Sequence, residues 1–310
     1  MLSKKLLRIA IFGARGIGKT HARIFHSLGA QVCGVLGSSS ESAHEAAAAL
    51  RDSFGIKAKS YSQLNALIDE AKPDAVSICT PAHLHFDQII SAFDHNLAVF
   101  CEKPFFWYQG ITADQLEKGL TVIQMHPNRR FFINTSNAYF LQKVQPEIKS
   151  QKDIESFSFR FYTQGVNKGC NIAVDLLPHA FSLLLSFSGL REISGLNQNV
   201  GKHSYQCNFT YGKEKVDFDF QELPQGAKAF EFMVNQRKFS RIQTGYGATY
   251  RVYLHDSQTN RKIEVEDPFS VYIRRFIDYC HNGALVKKDM FDEAASSLRL
   301  MANILLEGYK

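Results

Sequence analysis

The first half of the chain alternates short apolar runs with stretches whose apolar positions recur at helical spacing. Residues 7–12, 31–36, 75–79 and 98–101 are apolar runs of the kind buried on both faces of a parallel sheet. Between them, 21–28 carries Ala22, Phe25 and Leu28 on one stripe, 41–54 is alanine-rich, and 84–95 is amphipathic. Strand, helix and strand in repetition predict right-handed crossovers and a doubly wound sheet. In the second half the period changes to two. Residues 154–163 set Phe157, Phe159 and Phe161 on one face and Ser158, Arg160 and Tyr162 on the other. The alternation continues through 205–211, 215–221, 230–234 and 250–255, punctuated by turn residues such as Tyr211-Gly212-Lys213. An antiparallel sheet with one covered face follows. A helix around 174–187 interrupts it, and two more, at 271–281 and 291–306, come after it.

Length and composition agree with two domains. A chain of 310 residues exceeds the size at which one core usually keeps growing, and 45% hydrophobic residues suffice for a sizeable interior. The net charge of +6 is dispersed, with no run of five basic residues, so a nucleic-acid partner is not expected. No apolar stretch approaches ~18 residues, so no membrane span is expected. The six cysteines form no CxxC pair, and no secretory leader pattern is visible; reduced thiols in a cytoplasmic protein are the expectation. His83 and His85 lack a third ligand at metal spacing, and no metal is expected.

Four segments carry candidate chemistry. Gly13-Ala14-Arg15-Gly16-Ile17-Gly18 follows a strand and opens a helix, the context of a dinucleotide fingerprint. Such a loop turns tightly at Gly13, packs helix on strand at Gly18, and offers a helix N-terminus to a pyrophosphate. Arg15 stands where G-x-G-x-x-G has its middle glycine. The acid that normally meets the ribose ~20 residues on is missing. Gly37-Ser38-Ser39-Ser40 occupies that place. Ser38 and Ser39 with Arg15 suit a 2′-phosphate, so NADP is the expected cofactor with NAD as the alternative; a plain helix-capping loop is the other reading of the serines. Thr80-Pro81, with His85 beyond, and Glu102-Lys103-Pro104 follow strands at the sheet edge where open α/β folds bind ligands. Asp175 and His179 are spaced i, i+4, one helix face apart, as suits a carboxylate orienting a general base. Pro178 beside them suggests a helix that begins near Leu177 or is kinked there.

In order and spacing these segments resemble the glucose–fructose oxidoreductase/inositol dehydrogenase (Gfo/Idh/MocA) family, as does the terminal Asp292-Glu293 helix. The resemblance implies an N-terminal Rossmann domain, here set at 1–125. It implies an α+β domain on a mostly antiparallel sheet at 126–310, with room for the terminal helix to return to the first domain. It also implies hydride transfer between nicotinamide and a secondary alcohol or ketone of a sugar or cyclitol, and a homodimer or homotetramer. By position, Lys103 and His179 would be the catalytic pair and Asp175 their partner. Gly13, Arg15, Gly16, Ile17, Gly18, Ser38, Ser39, Thr80, Pro81, His85, Glu102 and Lys103 would bind the cofactor. The competing expectations are a non-catalytic dinucleotide sensor and an enzyme using NAD for a non-redox, glycosidase-like reaction.

Overall fold

The computed structural model describes residues 6–149, 154–282, 289–306 and 308–309. Two compact units divide the chain, Met1–Asn134 with Phe269–Ala294, and Thr135–Pro268 with Ala295–Lys310.

The first unit is built on β1 (Arg8–Phe12), β2 (Gln31–Leu36), β3 (Lys59–Tyr61), β4 (Ala75–Ile78), β5 (Ala98–Cys101) and β6 (Phe131–Ile133). All pairings are parallel and the order is β3-β2-β1-β4-β5-β6. The apolar runs lie here because helices cover both faces; β1, β4 and β5 are buried almost throughout. The helices are α1 (Ile17–Ser27), α2 (Ser40–Phe54), α3 (Leu64–Ala71), α4 (His85–Asp94) and α5 (Ala113–Met125). Two start with reciprocal caps, Ser39 with Ser42 and Thr112 with Gln115. The chain leaves β1 in one direction and returns to β4 on its other side. The carboxyl ends of β1 and β4 therefore flank a topological switch point, where such sheets open a crevice.

The second unit starts with α6 (Ala138–Lys149), β7 (Ser156–Thr163) and α7 (Cys170–Ser188). Then come β8 (Ile193–Val200), β9 (Ser204–Tyr211), β10 (Glu214–Glu222), β11 (Ala229–Val234), β12 (Arg237–Thr244), β13 (Arg251–Asp256) and β14 (Arg261–Val265). The eight strands run in the order β14-β13-β12-β11-β7-β10-β9-β8, antiparallel except for the central β7–β10 pair. Phe157, Phe159, Phe161, Phe218, Phe220, Phe230 and Phe232 share the buried face and meet mostly edge to face. α7 packs on that face, with α6 against α7. The opposite face is polar: Asp219 accepts hydrogen bonds from Arg160 (3.0 Å), Tyr162 (2.6 Å) and Gln206 (3.2 Å), and Glu231 lies 3.5 Å from both Arg160 and Lys238.

Three expectations need correction. α7 is by length and composition apolar enough to cross a bilayer, although no stretch of that kind was expected. Its apolarity has a local cause: Leu176, Ala180, Phe181 and Leu184 are buried in the second unit. The same helix begins at Cys170, so Pro178 sits in its interior rather than near its start. The break expected at residue 125 comes too early, because β6 lies beyond it and pairs with β5. The last two helices are α8 (Pro268–Asn282) and α9 (Phe291–Leu305). α8 returns to the first unit, where Phe276 packs on Phe25, Phe100 and Phe132; Phe291 packs on Phe105 and Phe131.

Candidate functional site

At the switch point the glycine loop is shaped by contacts that side chains would destroy. Gly13 has φ +78°, and a Cβ on Gly18 would lie 2.0 Å from the Gly13 carbonyl oxygen. α1 can therefore approach the end of β1 only with glycine at that place. Gly16 caps α1; no side chain satisfies the helix N-terminus, and no acid lies in its first turn. An anion fits there. Gly13, Arg15, Ser38, Thr80 and Pro81 line a cleft of about 280 Å³, joined by Leu36, Ser42 and Cys79. Gly16, Ile17 and Gly18 form the turn beside it. Arg15 reaches α2 and pairs with Glu45, while the Ser39 hydroxyl accepts from the Ser42 amide as the helix cap. Of the serines placed here by motif, Ser39 thus has a structural task and Ser38 faces the cleft.

Below the cleft lies a buried polar cluster with no sequence signature. His21 of α1 is fully buried and its Nε2 lies 2.9 Å from Glu102 Oε1. Its Nδ1 lies 2.9 Å from Ser77 Oγ and 3.3 Å from Cys79 Sγ, and Asn134 Nδ2 donates to Glu102 Oε1 at 2.6 Å. Burial alone would lower the His21 pKa, but Cys79 and Glu102 outweigh it and hold it well above the usual imidazole value. Burial likewise would raise Glu102, yet His21, Lys103 and Asn134 draw it down to about 2. An imidazolium–carboxylate pair results. Glu102 is thus a buried brace, not a lining residue as expected. His85 is also buried: its two nitrogens lie 2.9 Å from the Pro104 carbonyl and 2.7 Å from the Thr80 carbonyl. Burial lowers its pKa despite those carbonyls, and a neutral ring donates its single N–H to one of the two, with the other carbonyl packed against its bare nitrogen. Lys103, half-buried, follows β5 at this edge, with its amide 3.3 Å from Glu102 Oε2.

In the second unit α7 carries Asp175 and His179 one turn apart, both half-buried. The His179 ring meets Phe161 edge-on at 5.4 Å between centroids. Glu222 of β10, absent from the sequence expectations, joins them. Burial pushes its carboxyl above the ordinary value; hydrogen bonds from the Asn167 amide and side chain oppose this, and the neighbouring Asp175 carboxyl adds to it. Two carboxyls so close share a proton more easily than they carry two charges. Only Gly165 fits alongside, since a Cβ there would fall 1.9 Å from Glu222 Oε2.

Residues 7–129 match the family described as "Oxidoreductase family, NAD-binding Rossmann fold". Over this stretch the chain is similar to the Gfo/Idh/MocA oxidoreductase family. An inositol 2-dehydrogenase from Streptomyces avermitilis is 34% identical over 102 residues, 32% of this chain and 28% of that relative. The chain thus matches well under two thirds of the length of such curated relatives. Solved structures extend the likeness in fold. The UDP-N-acetylglucosamine 3-dehydrogenase of Acidithiobacillus ferrooxidans aligns over 98% of this chain and 99% of its own, with TM-score 0.71 and 16% identity. A 3-ketoreductase from Actinomadura kijaniata, solved with NADP and TDP-benzene, aligns over 97% of both chains, with TM-score 0.75 and 15% identity.

The Glu102–His21 pair of the first unit predicts a pH-dependent stability. Glu102 lies below its unfolded value of 4.5, so its contribution is complete above pH 4.5 and is lost as pH falls towards 2. His21 lies above 6.5, so its contribution is complete below pH 6.5 and fades as pH rises. Breaking a buried pair costs about 3–5 kcal/mol. Glu102→Gln should therefore lower Tm by several degrees at pH 5–6, and calorimetry should find the gap closing between pH 4.5 and 2. A gap independent of pH would contradict the ion pair.

Proposed function

We propose that the chain is an NAD(P)-dependent oxidoreductase acting on a secondary alcohol or ketone of a sugar, cyclitol or related small molecule. The observation that carries this reading is the Gly13–Gly18 approach beside an α1 N-terminus that no side chain caps, a cradle for a dinucleotide pyrophosphate at a switch point. A dinucleotide held by the Gly13–Gly18 turn would supply hydride transfer to or from the substrate carbon. His179 takes the hydroxyl proton in the oxidative direction and returns it in the reductive one. Asp175, half a proton-sharing pair with Glu222, orients that imidazole. Lys103 donates a hydrogen bond to the same substrate oxygen and stabilises its developing negative charge. The Glu102–His21 brace keeps the Lys103 backbone in place.

NADP is the cofactor of this reading. Ser38 faces the cleft, no acid stands at the ribose position, and Arg15 can exchange Glu45 for a 2′-phosphate. The polar outer face of the second unit's sheet, with its Arg160–Asp219–Tyr162 network, is the surface on which a second copy would pack.

Three outcomes are expected. His179→Ala and Lys103→Ala should each lower kcat about 10²–10⁴-fold. Each should leave NADP affinity within a few-fold, and the double variant should fall short of the product of the two. Near-normal turnover by His179→Ala would overturn the assignment, whereas turnover of a glycoside without net NADPH formation would favour the non-redox alternative. In fluorescence titrations NADP should bind more tightly than NAD, and Arg15→Ala should narrow the difference; equal affinities in the parent contradict the NADP reading. Light scattering at micromolar concentration should give a dimer or tetramer, and a monomeric mass would refute the packing proposed for the sheet face.

A further inference from the structure

The covered face of the second unit's sheet is mostly aromatic and aliphatic, and its few buried charged groups include a cation among the rings. Arg241 of β12 lies on the same side of its strand as Phe239, two residues away, and is half-buried. Its guanidinium carbon sits 4.5 Å from the ring centre of Phe230, 5.9 Å from that of Phe161 and 6.0 Å from that of Phe140. Among the described residues no carboxylate pairs with it and no hydrogen bond holds it. Other arginines of this unit are matched: Arg237 lies 2.6 Å from Asp256, and Arg160 lies 3.0 Å from Asp219.

A guanidinium keeps its charge at any ordinary pH, and removing it from water without a counter-charge is unfavourable. Burial draws the Arg241 pKa down to about 10, and only Tyr250 acts in the other direction. The faces of the rings offset part of that cost but leave the planar array of N–H donors unused. Such an array suits a carboxylate or phosphate, which it can grip with two parallel hydrogen bonds. Phe161 adds position. One side of its ring environment is Arg241 and another is His179, which meets it at 5.4 Å. A cation awaiting an anion thus stands one aromatic ring from the proposed base.

We propose that Arg241 is an anion subsite that recognises a carboxylate or phosphate group on the substrate, with Phe161 and Phe230 as its walls. The substrate class narrows to acidic or phosphorylated sugars and cyclitols. This narrowing rests on the oxidoreductase reading; the anion subsite itself does not.

The first test needs no substrate. Sulfate, titrated at constant ionic strength, should raise the Tm of the parent by several degrees and saturate, because a ligand bound only to the folded state stabilises it. Arg241→Met should lose at least half of that shift, and Arg241→Lys, which keeps a cation, should retain most of it. Sulfate also stabilises proteins non-specifically and can enter the dinucleotide cleft, so the difference between parent and Arg241→Met is the measurement. The same shift in both proteins overturns the subsite. The second test uses turnover. D-glucuronate or a sugar phosphate should exceed its neutral counterpart in kcat/KM at least tenfold with the parent, and Arg241→Met should remove that preference mainly through KM. Preference for neutral sugars, unchanged in the variant, overturns the narrowed class while leaving the oxidoreductase reading standing. An Arg241-dependent sulfate response without turnover on any sugar does the reverse.

Discussion

The first unit depends on one buried ion pair. Glu102 ends β5, His21 rides on α1, Ser77 lies on β4, and Asn134 follows β6; all four meet within hydrogen-bond distance beneath the cleft. Without the pair the carboxylate would be an isolated buried charge, which a protein interior tolerates poorly. With it, the loop carrying Lys103 is fixed to the helix that presents the glycine turn. A charged group at the bottom of the cleft thereby sets the geometry of neutral backbone at its top. Cys79 shares the cluster and lines the cleft, so the same imidazole faces a thiol on one side and a carboxylate on the other.

The second unit solves a different problem. Its broad sheet has a face built of phenylalanines, and α7 is correspondingly apolar. Polar groups on that side are few and each has a local reason. Glu222 is held by Asn167 and by its neighbour Asp175, His179 rests against Phe161, and Arg241 is the cation among rings. A hydrophobic face tolerates such groups only when packing over-determines them, which is the usual condition of a functional pocket.

Much of this was legible in the residues. Apolar runs marked β1, β2, β4 and β5, and strict alternation marked β7, β9, β10, β11 and β13. These signals are long enough to rise above local noise. β3 and β6, of three residues each, carry no readable period, and missing β6 put the unit boundary at 125. Pro178 left open whether α7 starts beside it or runs through it; the helix runs through, because tertiary burial overrode the local rule against an interior proline. The glycine loop could be read because glycine's geometry is local. The brace could not: His21 and Asn134 are separated by 113 residues, and no spacing rule connects them. The motif with Thr80 and His85 was visible, but the burial of His85 between the Thr80 and Pro104 carbonyls was a matter of tertiary structure.

The chain leaves the first unit at Asn134 and re-enters it at Phe269. During synthesis, then, all six strands of the parallel sheet emerge well before the helix that seals one flank. Until residues 269–294 follow, Phe25, Phe100 and Phe132 lack Phe276, and Phe131 lacks both Phe291 and the Met290 amide on its carbonyl. Domains commonly fold in the order in which they leave the ribosome. Here the N-terminal one cannot finish first: it must wait, with an aromatic flank uncovered, for the whole second unit's sheet to be made.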